Sequence, residues 1–157
     1  MSGFLNAIVR AAALFWTLLL TALVGNLIAV GNHKAAINFT MFVAVLSWIV
    51  TLYGIASSFV SSLGRAAILL PLDAILVLFS VIDGIVLAAL LNTVDCASID
   101  STKNHQSVLF DNEMGHCRQT QASAVFVWFI FICATGGLFF SFSESRSPIG
   151  SIRGSRV

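Results

Sequence analysis

Charge is what this sequence has least of, and that scarcity decides its class. Asp, Glu, Lys and Arg make up 10% of its 157 residues, against about 25% in an ordinary soluble domain. Proline occurs twice and tyrosine once. There is no Cys-x-x-Cys pair, Gly-rich phosphate loop, nucleophile elbow or zinc-binding helix. Thiol-redox, nucleotide-dependent, acyl-transfer and zinc chemistry therefore lack their local signatures, and neither an enzyme nor a cofactor is expected. A formal net charge of +1 supplies no field that would gather nucleic acid. What is present is apolar: 58% of residues are hydrophobic, and mean hydropathy is +0.96. A water-soluble fold of this size could not hide so much apolar surface, so lipid must be the solvent for much of the chain.

A spanning helix needs about 20 largely apolar residues. Four stretches qualify: 11–30, 37–60, 68–91 and 122–142, the third interrupted by Asp73 and Asp83. Strands of this length would have no closed barrel to join. The expected fold is therefore all-α, a four-transmembrane-helix bundle over 1–143. Residues 144–157 form a Ser, Gly and Arg tail too polar to offset the entropy of ordering it, so disorder is expected there. The first two connections are short, whereas 92–121 is long and polar. With both termini in the cytosol, Arg10, Arg65, Arg146, Arg153 and Arg156 lie inside, and Lys34, Lys103 and Arg118 outside, as the positive-inside rule favours. The first apolar run exceeds the roughly 7–15-residue core of a secretory signal, so it is read as a retained span.

Cys96 and Cys117 flank the long connection, on the side where disulfides persist. A disulfide between them is favoured over two independent thiols, and over a metal site with His105 and His116, whose spacing fits no zinc pattern. Cys133 lies within the fourth run and reads as packing.

The intramembrane acids are the sharpest local features. Asp73 follows Pro71 near the start of the third run, where a carboxylate suits the positive end of a helix dipole, so it reads as an interfacial cap. Asp83 is deeper. Ten residues on, about 15 Å of rise and roughly 80° of rotation away, it cannot share a proton with Asp73. It should face neighbouring helices, with Ser, Thr, Asn26 or Tyr53 as partners. A packing contact is favoured; the alternative is a small proton-linked transporter or channel using Asp83. Thr21 with Gly25, and Gly84 with Ala88, are weak small-xxx-small signals for close helix approach. Asn38-Phe39-Thr40 fits a glycosylation pattern but sits at the membrane edge, so no glycan is expected. In the tail, Arg146, Arg153 and Arg156 are candidate contacts to anionic lipid or a partner, and Ser147 and Ser155 candidate phosphorylation sites that would weaken that attraction.

Four helices, short first and second connections and a Cys-bounded third resemble the MARVEL domain, and more specifically the fungal non-classical export protein family. The stretches that carry the resemblance are Leu52-Tyr53-Gly54, Leu72-Asp73 and Cys117-Arg118-Gln119-Thr120-Gln121-Ala122. The resemblance spans the chain from the first helix into the tail. It implies a multi-pass plasma-membrane protein of eisosome-associated patches, which organises membrane, responds to sphingolipid status and is linked by family name to unconventional export. It also implies Tyr53, Asp73 and the Cys117 stretch as characteristic positions. Expected partners are membrane lipids, sphingolipid or sterol among them, eisosome or other plasma-membrane proteins, and further copies of the chain.

Overall fold

The computed structural model describes residues 2–31, 33–59, 66–91 and 114–146. They form four α-helices: α1 (Ser2–Ala29), α2 (Ala35–Phe59), α3 (Ala66–Leu91) and α4 (Met114–Arg146). Each is long and apolar enough to cross a membrane, as satisfying every backbone group within one segment requires. The protein is a multi-pass membrane protein.

Two helices start well before their expected first residues. α1 begins nine residues before Ala11 and α4 eight before Ala122. Apolar run length locates the hydrocarbon, but backbone hydrogen bonding continues through the polar residues beside it. At the other end α4 runs on to Arg146. α3 begins at Ala66, which places Pro71 inside the helix rather than in its first turn. Lacking an N–H, Pro71 leaves the carbonyl one turn before it without its usual donor.

α1 ends at a glycine. Gly31 has φ +92°, a left-handed value at which a Cβ would be strained. Its N–H donates to the Ile28 carbonyl, while Val30 N–H reaches back to Asn26, so carbonyls at the helix end are satisfied. The Asn38 side chain donates to the His33 carbonyl at 3.3 Å, tying the first turn of α2 to this connection.

Each helix packs against the next, and α4 closes the ring on α1. The neighbours are antiparallel. Thr17 meets Ser47, Thr40 meets Asp83, Gly84 meets Trp128 and Asn26 meets Gln119. The ends of α1 and α4 that bear the chain termini thus lie at one end of the bundle, with the α1–α2 turn at the other. Near that turn the core is formed by Leu20, Val24, Leu27, Ile37, Leu87 and Val127 with their neighbours. A smaller cluster of Val50, Leu76 and Ala134 lies toward the termini.

The distribution of polarity is that of a protein dissolved in lipid. Arg10, Thr17, Ser47, Asp73, Ser80 and Asp83 are buried, while Phe15, Ile49, Ile85, Ile132 and Phe139 are each more than half exposed. Hydrocarbon solvates those side chains, whereas the polar groups need partners that only the interior can provide.

Candidate intramembrane polar sites

The first site is an ion pair at the termini end. Arg10 projects from the third turn of α1 and Asp73 from the third turn of α3. Arg10 Nη1 donates to Asp73 Oδ1 at 3.2 Å and Nη2 to Oδ2 at 2.8 Å, the bidentate fork that makes guanidinium–carboxylate contacts strong. Arg10 Nε donates to Asn6 Oδ1, one turn earlier, at 3.2 Å. The Ser141 hydroxyl accepts from Arg10 Nη2 at 3.3 Å and donates to Asp73 Oδ2 at 3.1 Å. Arg10 and Asp73 are 3% and 1% exposed.

One glycine makes room for the guanidinium, and a second lies in ordinary contact with it. A Cβ on Gly54 of α2 would overlap the Arg10 guanidinium, and one on Gly137 of α4 would lie 3.7 Å from Nη2. All four helices therefore contribute to one charged cluster. Phe4, Leu5 and Ile8, toward the terminus from Arg10, point outward and are about half exposed or more. Arg10 consequently falls inside the apolar span Phe4–Ala29.

This arrangement corrects two expectations. Asp73 is not an interfacial cap, because two turns of α3 precede it and its carboxylate is taken by Arg10. Arg10 is not a free flanking charge but half of a buried pair. The sequence did carry a signal: opposite charges in the first and third spans, both near the same end of the bundle. Reading each acid against its own helix concealed it.

The second site is ten residues further along α3. Asp83 is fully buried; Thr40 Oγ1 lies 2.9 Å from its Oδ1, and Oδ2 has no hydrogen-bond partner. The same Thr40 oxygen lies 3.0 Å from the Ala36 carbonyl oxygen, one turn back on α2. Threonine was among the expected partner types, and it is Thr40 rather than Asn26 or Tyr53 that meets Asp83. Asn26 Nδ2 donates to Gln119 Oε1 at 3.2 Å, and Tyr53 is half-buried on α2 beside Gly54. The two acids occupy separate levels with separate partners.

Of the other predicted positions, Cys117 is buried and disulfide-bonded, and Cys133 is a free thiol. Cys96, the expected partner, lies outside the described residues, as do Arg153, Arg156, Ser147 and Ser155. Arg146 is the last residue of α4. Among the described residues, no cluster of three or more His, Cys, Asp or Glu side chains could hold a metal ion. Of the small-residue pairs, Gly84 is a close-approach site, with a built Cβ 3.1 Å from the Trp128 ring, whereas Gly25 has nothing within 4 Å.

Residues 3–140 match the family model of MARVEL, the membrane-associating domain. The chain belongs to the MARVEL family. Within this MARVEL bundle, Leu52-Tyr53-Gly54 and Leu72-Asp73 converge on Arg10, through Gly54 and Asp73. The Cys117–Ala122 stretch opens the apolar part of α4, with Cys117 and Thr120 turned inward and Gln119 bonded to α1. A similar curated protein is "Non-classical export protein 2 homolog 1" of Saccharomyces cerevisiae, 31% identical over 99 residues. That match covers 62% of this chain and 56% of the relative, so the alignment spans little more than half of the relative's length. No solved structure matches the chain.

Proposed function

We propose that this MARVEL protein organises plasma-membrane microdomains, in eisosome-associated patches that respond to sphingolipid status. The observation that carries the reading is the inverted polarity of a bundle in a membrane-associating family. Among the described residues, most charged and hydroxyl groups within the spans are buried, and the outer faces are mainly aromatic and aliphatic side chains. Such a surface can sort laterally by packing and hydrophobic thickness without chemistry. The proposed partners are lipids, sphingolipid or sterol among them, eisosome or other plasma-membrane proteins, and further copies of the chain. The yeast relative's name supports a link to non-classical export. Both termini face the cytosol in this reading, with the tail arginines near anionic headgroups and a Cys96–Cys117 disulfide on the opposite face.

The test is imaging of a tagged copy beside an eisosome marker, before and after sphingolipid depletion. Stable patches that coincide with the marker and change on depletion are expected. A diffuse distribution, with eisosome patches unchanged on deletion, would overturn the reading.

A further inference from the structure

The Asp83–Thr40 contact is one proton short. A threonine hydroxyl has a single hydrogen to give. Two oxygens stand within range of Thr40 Oγ1, the Ala36 carbonyl at 3.0 Å and Asp83 Oδ1 at 2.9 Å. Elsewhere in the bundle a buried hydroxyl gives its hydrogen within its own helix, as Thr51 does to the Ser47 carbonyl and Ser80 to the Leu76 carbonyl, with the Val77 carbonyl sharing the latter at 3.0 Å; neither of these has a side-chain carboxylate in range. Where such a hydroxyl also has a side-chain neighbour, that neighbour can supply the second hydrogen: Thr17 donates to the Ala13 carbonyl, and Ser47 can donate to Thr17 at 2.7 Å.

We propose that Asp83 supplies its own hydrogen, so that α3 carries a neutral carboxylic acid in the membrane interior. Thr40 then donates to Ala36, Asp83 Oδ1–H donates to Thr40, and both contacts are satisfied. Oδ2 is left as the carbonyl oxygen of an acid. An unpaired carbonyl oxygen in hydrocarbon is far less costly than an unpaired carboxylate oxygen. The surroundings agree. The charged groups described on the packed helices are Lys34 where α2 begins, Arg118 near the start of α4, the Arg10–Asp73 pair, about 15 Å along the bundle by helix rise, and Glu144 and Arg146 in the last turn of α4, beyond that pair. Among the described residues no ion pair reaches Asp83, and Arg10 is bonded to Asp73. This assignment does not depend on the microdomain reading and does not imply transport.

A neutral acid in the apolar bundle interior is a modification site for a membrane-soluble carbodiimide that enters between the helices. The carboxyl O–H adds across one C=N bond: its hydrogen goes to nitrogen, and its oxygen bonds the central carbon. The acyl group then passes from that oxygen to nitrogen, giving an N-acylurea that keeps every atom of both reactants. Asp73, ionised and bidentate to Arg10, has no such hydrogen to give.

The protein in lipid nanodiscs at neutral pH, with carbonyl-¹³C aspartate, is read by infrared spectroscopy. A neutral-acid C=O band that moves on labelling, disappears in Asp83→Asn and shifts in Thr40→Val is expected. Absence of that band from wild type, its survival in Asp83→Asn, or its indifference to Thr40→Val overturns the assignment. Should either variant fail to fold, wild-type protein treated with dicyclohexylcarbodiimide decides by peptide mass mapping. An adduct on Asp83 and not on Asp73 supports it; an unmodified Asp83 overturns it.

Discussion

Arg10 enters an apolar helix bundle because its guanidinium is met from every side, by Asp73, Asn6, Ser141 and the bare backbone of Gly54. Such a pair is costly to assemble and costlier to halve. Replacing both partners by apolar residues is often neutral or better, whereas removing one strands a buried charge at roughly 3–5 kcal/mol. Arg10→Met or Asp73→Leu alone should therefore lower unfolding stability by about that much, and the double variant by clearly less. Denaturant titration in detergent micelles reads all three. Gly54→Ala should cost about 1–3 kcal/mol, as overpacking does, because the new Cβ overlaps the guanidinium. That cost should shrink in an Arg10→Met background. An undiminished penalty there would separate Gly54 from the pair.

At the scale of elements, the helices are held by contacts between small and hydroxyl side chains more than by apolar burial, which lipid also offers. The α1–α2 seam carries Thr17 and Ser47 at 2.7 Å and Trp48 Nε1 donating to Thr21 Oγ1 at 3.0 Å. A double-mutant cycle of Thr17→Ala with Ser47→Ala should give a coupling near 0.6 kcal/mol, the usual size for interhelical bonds in a membrane. The α3–α4 seam depends on closeness: the Trp128 ring lies against Gly84. Gly84→Leu should drive the indole away, cost about 1–3 kcal/mol and alter tryptophan fluorescence. Trp16 stacks on Phe129 between α1 and α4 at 4.6 Å. The three tryptophans thus sit in helix seams well inside their spans, rather than in a belt at the membrane surface.

For the whole molecule, an even number of antiparallel spans brings the terminal ends of α1 and α4 to one face. With cysteines introduced near each terminus, an impermeant maleimide should leave both unlabelled in intact cells and label both after permeabilisation. Labelling of either in intact cells would reverse the proposed orientation. The inner pair should also respond little to salt, since a desolvated ion pair is screened far less than a surface one. Unfolding of Arg10 and Asp73 variants relative to wild type should therefore change little between low and high ionic strength.

Apolar run length alone determined that the chain is a membrane protein of four helices, because a bilayer admits few other ways to satisfy a backbone. It also located the two acids that need an explanation, since an Asp among leucines is conspicuous in any register. What they bind came from packing. Asp73 found a counter-ion 63 residues away, on a helix whose start the apolar pattern had misplaced, and Asp83 found a threonine rather than a charge. The partner of a buried polar group is chosen by which helix faces meet at one depth, and that is a property of packing that no single helix carries in its sequence.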